Sequence, residues 1–181
     1  TIKGMGFKYN KIKVDDADRK DKYPSPFCSG VNIPDDVRVS FKAENPINDL
    51  NSIHHDFGHA IHFIAIKKEL PYWEKYIISN GLAETFSTFL EYFIHNKIYL
   101  TEDVKLDEET AQEVISKVKF MEDYATMFYC ANSLFRIDYW KNKLSFDECD
   151  KYYAKKIKEC MNIDMPGAYW QLHHILPESL M

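Results

Sequence analysis

The stretch IHHDFGHAIH, residues 53–62, contains four histidines and one aspartate, in a chain that has seven histidines in all. His55 and His59 are four residues apart, so on a helix their side chains lie about 6 Å apart along the axis and about 40° apart around it. Both imidazoles can therefore reach one metal ion. In the H-E-x-x-H pattern, two such histidines bind zinc and the intervening carboxylate acts on the metal-bound water. Here the intervening residue is Asp56.

A third metal ligand must come from elsewhere in the chain, because a catalytic zinc ion usually has three protein ligands and one position for water. A second helix is predicted to start near Asn80 and to continue through GLAETFSTFLEYFIHN. Glu84, Glu91 and His95 lie on its polar side, opposite an apolar stripe. Spacing alone does not separate these three candidates.

The helix predicted for residues 48–68 has to present the histidines on one side and a core surface on the other. Asn48 or Asp49 can cap it, and it should stop before Pro71. Gly58 costs about 1 kcal/mol relative to alanine in a helix interior, so we expect a closely packed partner over that turn. The expected core positions are Leu50, Ile53, Phe57, Ala60, Ile61 and Ile64, and the polar stripe is Ser52, His55, His59 and His62.

The remaining pattern predicts a mainly α-helical chain with a small N-terminal β-sheet. Within residues 1–45, GFKYNKIKV and DVRVSFKAE alternate like half-buried strands, whereas residues 46–181 are helical in character. Asp107 can cap a long third helix, and SFDE from Ser145 has the capping-box form and opens a fourth. Pro166 suits the first turn of a fifth helix, PGAYWQLHHIL. We expect a single domain over the 181 residues.

Composition narrows the class of protein. Hydrophobic residues make up 45% of the chain, which indicates a packed core, and the net charge of −5 without a basic block argues against a nucleic-acid partner. The four cysteines show no C-x-x-C spacing, and no signal peptide or long apolar run is found. These features predict a cytoplasmic protein without a membrane partner.

A competing motif shares the same residues. HHDFGH contains the His-Asp pair of the HD-domain phosphohydrolases, helical proteins whose metal site adds an upstream histidine and a downstream aspartate. No histidine precedes His54 in this chain, so that ligand set is incomplete and this alternative is the weaker one.

HHDFGHAIHF and GLAETFSTFLEYF together resemble the catalytic core of the thimet oligopeptidase and oligoendopeptidase F family of zinc peptidases, whose motif reads H-E-F-G-H-A-x-H. The resemblance covers residues 25–95. The family's third ligand is a glutamate on the following helix, at the spacing that separates Glu84 from His59, 84 − 59 = 25 residues. The resemblance therefore implies a helical, zincin-like catalytic domain in which His55, His59 and Glu84 bind one Zn²⁺ ion and Asp56 is the catalytic base.

The resemblance also implies a substrate class, the residues that contact the substrate and a further lobe of the protein. The family hydrolyses short peptides, stabilises the oxyanion with late tyrosine and histidine side chains, and has a further helical lobe, so a missing N-terminal lobe is expected here. PGAYWQLHH offers Tyr169 and His173, with His174 beside them, for the oxyanion and the substrate. An extended peptide is expected to pair with a strand edge at residues 37–43.

One departure from the family defines the main alternative function. Asp56 is one methylene shorter than the family's glutamate, which draws the carboxylate back by about 1.5 Å, and misplacements near 1 Å can cost on the order of a hundredfold in rate. The alternative is therefore a catalytically weakened or inactive homologue that binds a metal ion or a peptide without hydrolysing it.

Overall fold

A three-stranded sheet and five α-helices make up the described part of the chain, which comprises residues 4, 6–7, 9–43, 46–142, 144–167 and 170 of a computed structural model. The fold is mainly helical with a small N-terminal sheet, which confirms the predicted class. The Cα positions cluster into two compact units, Thr1–Val118 and Lys119–Met181, and the division falls within the fourth helix. The single domain expected from the sequence stays a prediction.

The sheet has the strand order β1-β3-β2, with β1 at Ile12–Asp15, β2 at Phe27–Asn32 and β3 at Asp36–Ser40. The central strand β3 pairs in parallel with β1 and antiparallel with β2. Val37 and Val39 of β3 are almost fully buried, whereas Arg38 between them is exposed, which is the alternation predicted from the sequence. Periodicity alone did not mark β2 as a strand, because FCSGVN carries no clear alternation.

Helix α1, Pro46–Ala65, packs against this sheet. Ala60 joins the cluster around Val37 and Val39, and Phe57, Phe63 and Ile64 pack beside it. Near its start, the same helix packs Ile47 and Leu50 against a second cluster that contains Ile94, Leu100 and residues of the fourth helix. The apolar side of α1 is therefore covered along its length, which holds the histidine side in one orientation.

Helices α2, Tyr72–Tyr76, and α3, Asn80–Glu91, follow α1. The backbone N–H of Leu82 donates to the hydroxyl of Ser79, which caps α3. A 3₁₀ turn at Tyr92–His95 and a π-helical turn at Tyr99–Asp103 then lead to the long helix α4, Glu108–Asn142. The helix predicted to start near Asn80 is thus confirmed, although its last turn changes to 3₁₀ geometry.

The two later caps are also confirmed. Asp107 accepts a hydrogen bond of 2.8 Å from the backbone N–H of Thr110 at the start of α4. Helix α5, Phe146–Met161, begins after Ser145, whose backbone N–H donates to Glu148 at 2.9 Å. In the unit Lys119–Met181, α5 and the adjoining part of α4 share a core of Ala131, Phe135, Cys149, Tyr153, Ile157 and Trp170. The fifth helix predicted from Pro166 falls mostly outside the described residues.

No helix in the part of the chain that the structure describes combines the length and the apolar character needed to span a bilayer.

The sheet should lose stability in acid. Lysines and an arginine donate hydrogen bonds to the carboxylates of Asp35 and Asp36 and lower the pKa of each from 3.8 to about 2. Because these pKa values are lower in the folded chain, the stabilisation is present above the unfolded value of 3.8 and disappears as the pH falls through about 2. Urea unfolding followed at several pH values should show a modest loss of stability across this interval, because solvent screens these ion pairs.

The double substitution Asp35→Asn and Asp36→Asn is the control for this acid effect. It should reduce the pH dependence, because two of the groups that titrate in this range are gone, while Asp15, whose pKa is also lowered by Arg19 and Lys22, remains. High salt should weaken the effect in the unsubstituted chain, since these ion pairs are partly exposed to solvent. The same pH dependence in both proteins would assign the acid sensitivity to other groups.

Candidate metal site

His55 and His59 of α1 and Glu84 of α3 form the one cluster of three possible metal ligands found among the described residues. One ligand atom from each lies within 4.8 Å of the other two. The two Nε2 atoms are 3.1 Å apart, and Oε2 of Glu84 lies 3.4 Å from Nε2 of His55 and 3.6 Å from Nε2 of His59. This group could hold a metal ion, and it combines the two histidines predicted from helical spacing with Glu84, one of the three candidates for the third ligand.

Gly58 determines how closely α3 approaches the histidines. A Cβ atom at this position would overlap the carbonyl oxygen of Phe86 and the Cα of Ser87, so the backbones of α1 and α3 touch here. Only glycine permits such an approach. Gly58 immediately precedes His59 on α1, and Phe86 follows Glu84 by two residues on α3. The contact therefore brings the carboxylate of Glu84 over the two imidazoles. The expectation of a closely packed partner at Gly58 is confirmed.

Glu91 was a candidate for the third ligand, but its carboxylate lies behind His55 and not with the converging ligand atoms. Its Oε1 lies 2.9 Å from Nδ1 of His55, on the side of the ring opposite Glu84. A carboxylate can only accept, so Nδ1 of His55 carries the proton and Nε2 presents a lone pair toward His59 and Glu84. The hydrogen bond to Glu91 also raises the pKa of His55. Histidines that bind metals commonly have such a carboxylate behind them.

Two further residues support the ligands and were missed in the sequence. The side-chain amide of Asn51 donates to Oε1 of Glu91 at 3.4 Å, and Oδ1 of Asn51 is buried without a hydrogen-bond partner. The hydroxyl of Ser87, which is fully buried, lies 2.7 Å from Oε2 of Glu84. The signal for both was helical spacing, because Asn51 precedes His55 by four residues and Ser87 follows Glu84 by three.

Removing the charge behind His55 should weaken metal binding. Glu91→Gln keeps the size of the side chain but replaces the carboxylate by a neutral amide, so the tautomer and orientation of His55 are held less firmly. Loss of such a partner typically lowers metal affinity about 10- to 100-fold. Competition with a chromophoric chelator measures this change.

Glu113→Gln is the matched control for Glu91→Gln, because Glu113 is exposed on α4 and pairs with Lys117. Its metal affinity should equal that of the unsubstituted chain. Equal affinities for all three proteins would show that Glu91 does not orient His55.

Asp56 is buried and carries a perturbed pKa. Its exposed fraction is 6%, and this burial raises its pKa from 3.8 to about 6, while the neighbouring His55 acts in the opposite direction. Cys28 of β2 lies near enough that the charge of Asp56 adds to the burial that raises the thiol pKa to about 12. Asp56 is thus buried, adjoins His55 along α1 and lies outside the ligand group itself. The HD-type alternative needs this aspartate as a ligand, which the geometry does not favour.

The other histidines of the stretch have structural contacts. Nδ1 of His54 donates to the carbonyl of Leu50 at 2.7 Å, and the hydroxyl of Tyr99 donates to Nε2 at 2.8 Å, so both ring nitrogens are satisfied. His62 is buried and stacks on Phe86 with the ring centroids 4.3 Å apart. His54 is therefore held by hydrogen bonds and His62 by ring stacking, and neither belongs to the converging group.

The predicted peptide-binding edge at residues 37–43 is wrong. Asp36–Ser40 is the central strand and is hydrogen bonded on both sides, so it offers no free edge. Tyr169, His173 and His174, which were predicted to contact the oxyanion and substrate, lie outside the described residues. Their roles stay predictions.

The chain was compared with known proteins by sequence and by structure. No protein-family model matches it, and neither a curated protein nor a solved structure matches it. The candidate site therefore has to be interpreted from its own geometry and chemistry.

Proposed function

We propose that this chain is a zinc-dependent metallopeptidase that hydrolyses short peptides in a helical, zincin-like catalytic domain. The observation that carries the proposal is the triangle formed by His55, His59 and Glu84, with edges of 3.1, 3.4 and 3.6 Å. Ligands about 2.0–2.1 Å from a tetrahedral zinc ion are separated by about 3.3 Å. The triangle has this size before any adjustment of the side chains.

The donor set also favours zinc over harder cations. Two imidazole nitrogens and one carboxylate are ligands that zinc takes in catalytic sites, whereas calcium and magnesium prefer oxygen ligands throughout. Glu84 is half exposed, so the site is open to water and substrate. Zinc bound here would supply polarisation of a peptide carbonyl and activation of a water molecule.

Asp56 is the proposed general base. A carboxylate with a pKa of about 6 is ionised at neutral pH and has a stronger affinity for a proton than an ordinary aspartate. Its oxygens would take the proton of the attacking water and return it to the leaving amine. Burial beside Cys28 excludes bulk water from one side of this group, which supports its role in proton transfer.

The outer edge of β2 is the proposed position for an extended peptide. Within the described residues, β2 is hydrogen bonded to a strand only on its β3 side. Cys28 of β2 lies near Asp56, and Gly30 lies close to the side chain of Phe63 on α1. A peptide paired with this free edge would run along the histidine helix.

A second candidate function is a binding protein that holds a metal ion or a peptide without cleaving it. The observation in its favour is the length of Asp56, since its carboxylate is one methylene nearer to the helix than the glutamate of the H-E-x-x-H pattern. The peptidase and a metal-binding protein both predict bound zinc, so only turnover separates those two.

The deciding experiment measures zinc content and cleavage of a quenched fluorescent peptide library by the purified chain, with and without a chelator. We expect about one zinc ion per chain and chelator-sensitive cleavage. Asp56→Glu should retain or raise the rate, and Asp56→Asn should lower it by at least about a hundredfold, because general-base catalysis contributes about 10²–10⁴-fold. Each variant should keep its zinc.

The possible outcomes separate the candidates. Bound zinc without cleavage in the original chain and in Asp56→Glu would favour the binding protein. Equal cleavage by the original chain, Asp56→Glu and Asp56→Asn would show that Asp56 is not the base. Absence of bound zinc would reject the peptidase and the metal-binding protein.

A further inference from the structure

We propose that Ser87 is a positioning residue of the metal site, whose hydroxyl holds Glu84 so that a single carboxylate oxygen, Oε2, binds the metal ion. Ser87 follows Glu84 by three residues on α3, and its hydroxyl donates to Oε2 at 2.7 Å. Oε2 is also the oxygen that lies 3.4 Å from Nε2 of His55 and 3.6 Å from Nε2 of His59. The inference rests on the metal site of the proposed function and does not require peptide cleavage.

The position of the Ser87 hydroxyl is fixed by its surroundings. Ser87 is fully buried where α1 and α3 touch, and its Cα is one of the atoms that a Cβ on Gly58 would overlap. The hydroxyl also lies 2.9 Å from the backbone carbonyl oxygen of Glu84, which keeps it pointing toward that residue. The carboxylate is the nearer acceptor and carries the charge, so it forms the stronger hydrogen bond.

The hydrogen bond restricts how the carboxylate of Glu84 can turn. Each carboxylate oxygen has two lone-pair sites, and Ser87 takes one of those on Oε2, which leaves the other for a metal ion. Turning the carboxylate to bring both oxygens to one ion would move Oε2 away from the hydroxyl and break a charge-assisted hydrogen bond. Glu84 is half exposed, whereas Ser87 is fully buried, so the restraint comes from the buried end of the contact.

Binding through one oxygen keeps a coordination position open. A catalytic zinc site usually has three protein ligands and one position for water, and it can expand to five ligands during the reaction. A second oxygen of Glu84 on the ion would take one of these positions. Ser87 therefore preserves the place that water or a substrate carbonyl needs, and it does so through Glu84.

The test compares crystal structures of the zinc-loaded original chain and of Ser87→Ala. The variant removes one oxygen atom, and α3 should persist because alanine has the higher helix propensity. We expect one oxygen of Glu84 at about 2.0–2.2 Å from zinc in the original chain and both oxygens bound to zinc in Ser87→Ala. The open position is measured by titrating the Co²⁺-loaded proteins with azide and following the visible absorption. Azide affinity should fall at least about tenfold in Ser87→Ala, within the range typical of residues that orient metal ligands.

Ser116→Ala is the matched control, because the hydroxyl of Ser116 donates to the backbone carbonyl of Gln112 and Ser116 is exposed on α4. Its azide affinity should equal that of the original chain. Two oxygens of Glu84 on zinc in the original chain would overturn the role of Ser87 without any variant. One bound oxygen in both proteins, or equal azide affinities, would also overturn it and leave the proposed function standing. An original chain that binds neither zinc nor cobalt would overturn both.

Discussion

Replacing His59 by alanine is expected to abolish stoichiometric zinc binding. The substitution removes one of three ligand atoms and leaves His55 and Glu84, which are too few to hold the ion firmly. The loss of zinc affinity should be larger than that expected for Glu91→Gln, which is about 10- to 100-fold. Elemental analysis after gel filtration gives the stoichiometry, and chelator competition gives the affinity. His55→Ala should behave in the same way.

His95→Ala is the matched control for the ligand substitutions. His95 was a candidate third ligand in the sequence, but it does not belong to the converging group. Its alanine variant should keep one zinc ion per chain with little change in affinity. Full zinc content in both His55→Ala and His59→Ala would reject the ligand assignment, and loss of zinc only in His95→Ala would move the site to the 3₁₀ turn after α3.

Gly58→Ala should disrupt both the fold and the metal site. The added Cβ would lie 2.8 Å from the carbonyl carbon of Phe86 and would overlap two further backbone atoms of α3. Backbone atoms cannot rotate away, so the helices have to separate. Overpacking of this kind lowers the free energy of unfolding by about 1–3 kcal/mol. The higher helix propensity of alanine, which is worth about 1 kcal/mol over glycine, offsets only part of this loss. Urea unfolding should show lower stability, and zinc affinity should fall at least about tenfold as Glu84 moves away.

Gly81→Ala is the matched control: it makes the same chemical change, but it should raise the stability of the chain. No atom lies within 4 Å of a Cβ at this position in the first turn of α3, so the substitution introduces no overlap. It should stabilise the chain by up to about 1 kcal/mol and leave zinc affinity unchanged. If Gly58→Ala were as stable as Gly81→Ala and kept its zinc affinity, the close contact between α1 and α3 would not be needed for the site.

Much of the site could be predicted because it is local. His55 and His59 face the same direction through helical periodicity alone, and the caps at Asp107 and Ser145 depend on residues three positions away. The strand β2 could not be predicted in the same way. FCSGVN lacks alternation, and it becomes a strand because it pairs with β3 and packs against α1.

The role of each acid on α3 was not decided by the sequence. Glu84 and Glu91 lie on the same side of the helix, two turns apart, and both are within reach of the histidine helix. Helical spacing alone does not show which of the two would bind the metal ion. The structure separates them, because the α1–α3 contact at Gly58 places Glu84 toward Nε2 of His55 and Glu91 toward Nδ1.

The sequence by itself determined the helical class, the two imidazoles on one face of α1, and the need for a close partner at Gly58. These properties follow from periodicity and from the cost of glycine in a helix, which act within a few residues. Only the tertiary structure decided the order of the strands, the place of Asp56 beside Cys28, and the separate roles of Glu84 and Glu91. Those depend on the distance and angle between elements far apart in the chain, which packing of side chains and backbones sets and no local pattern encodes.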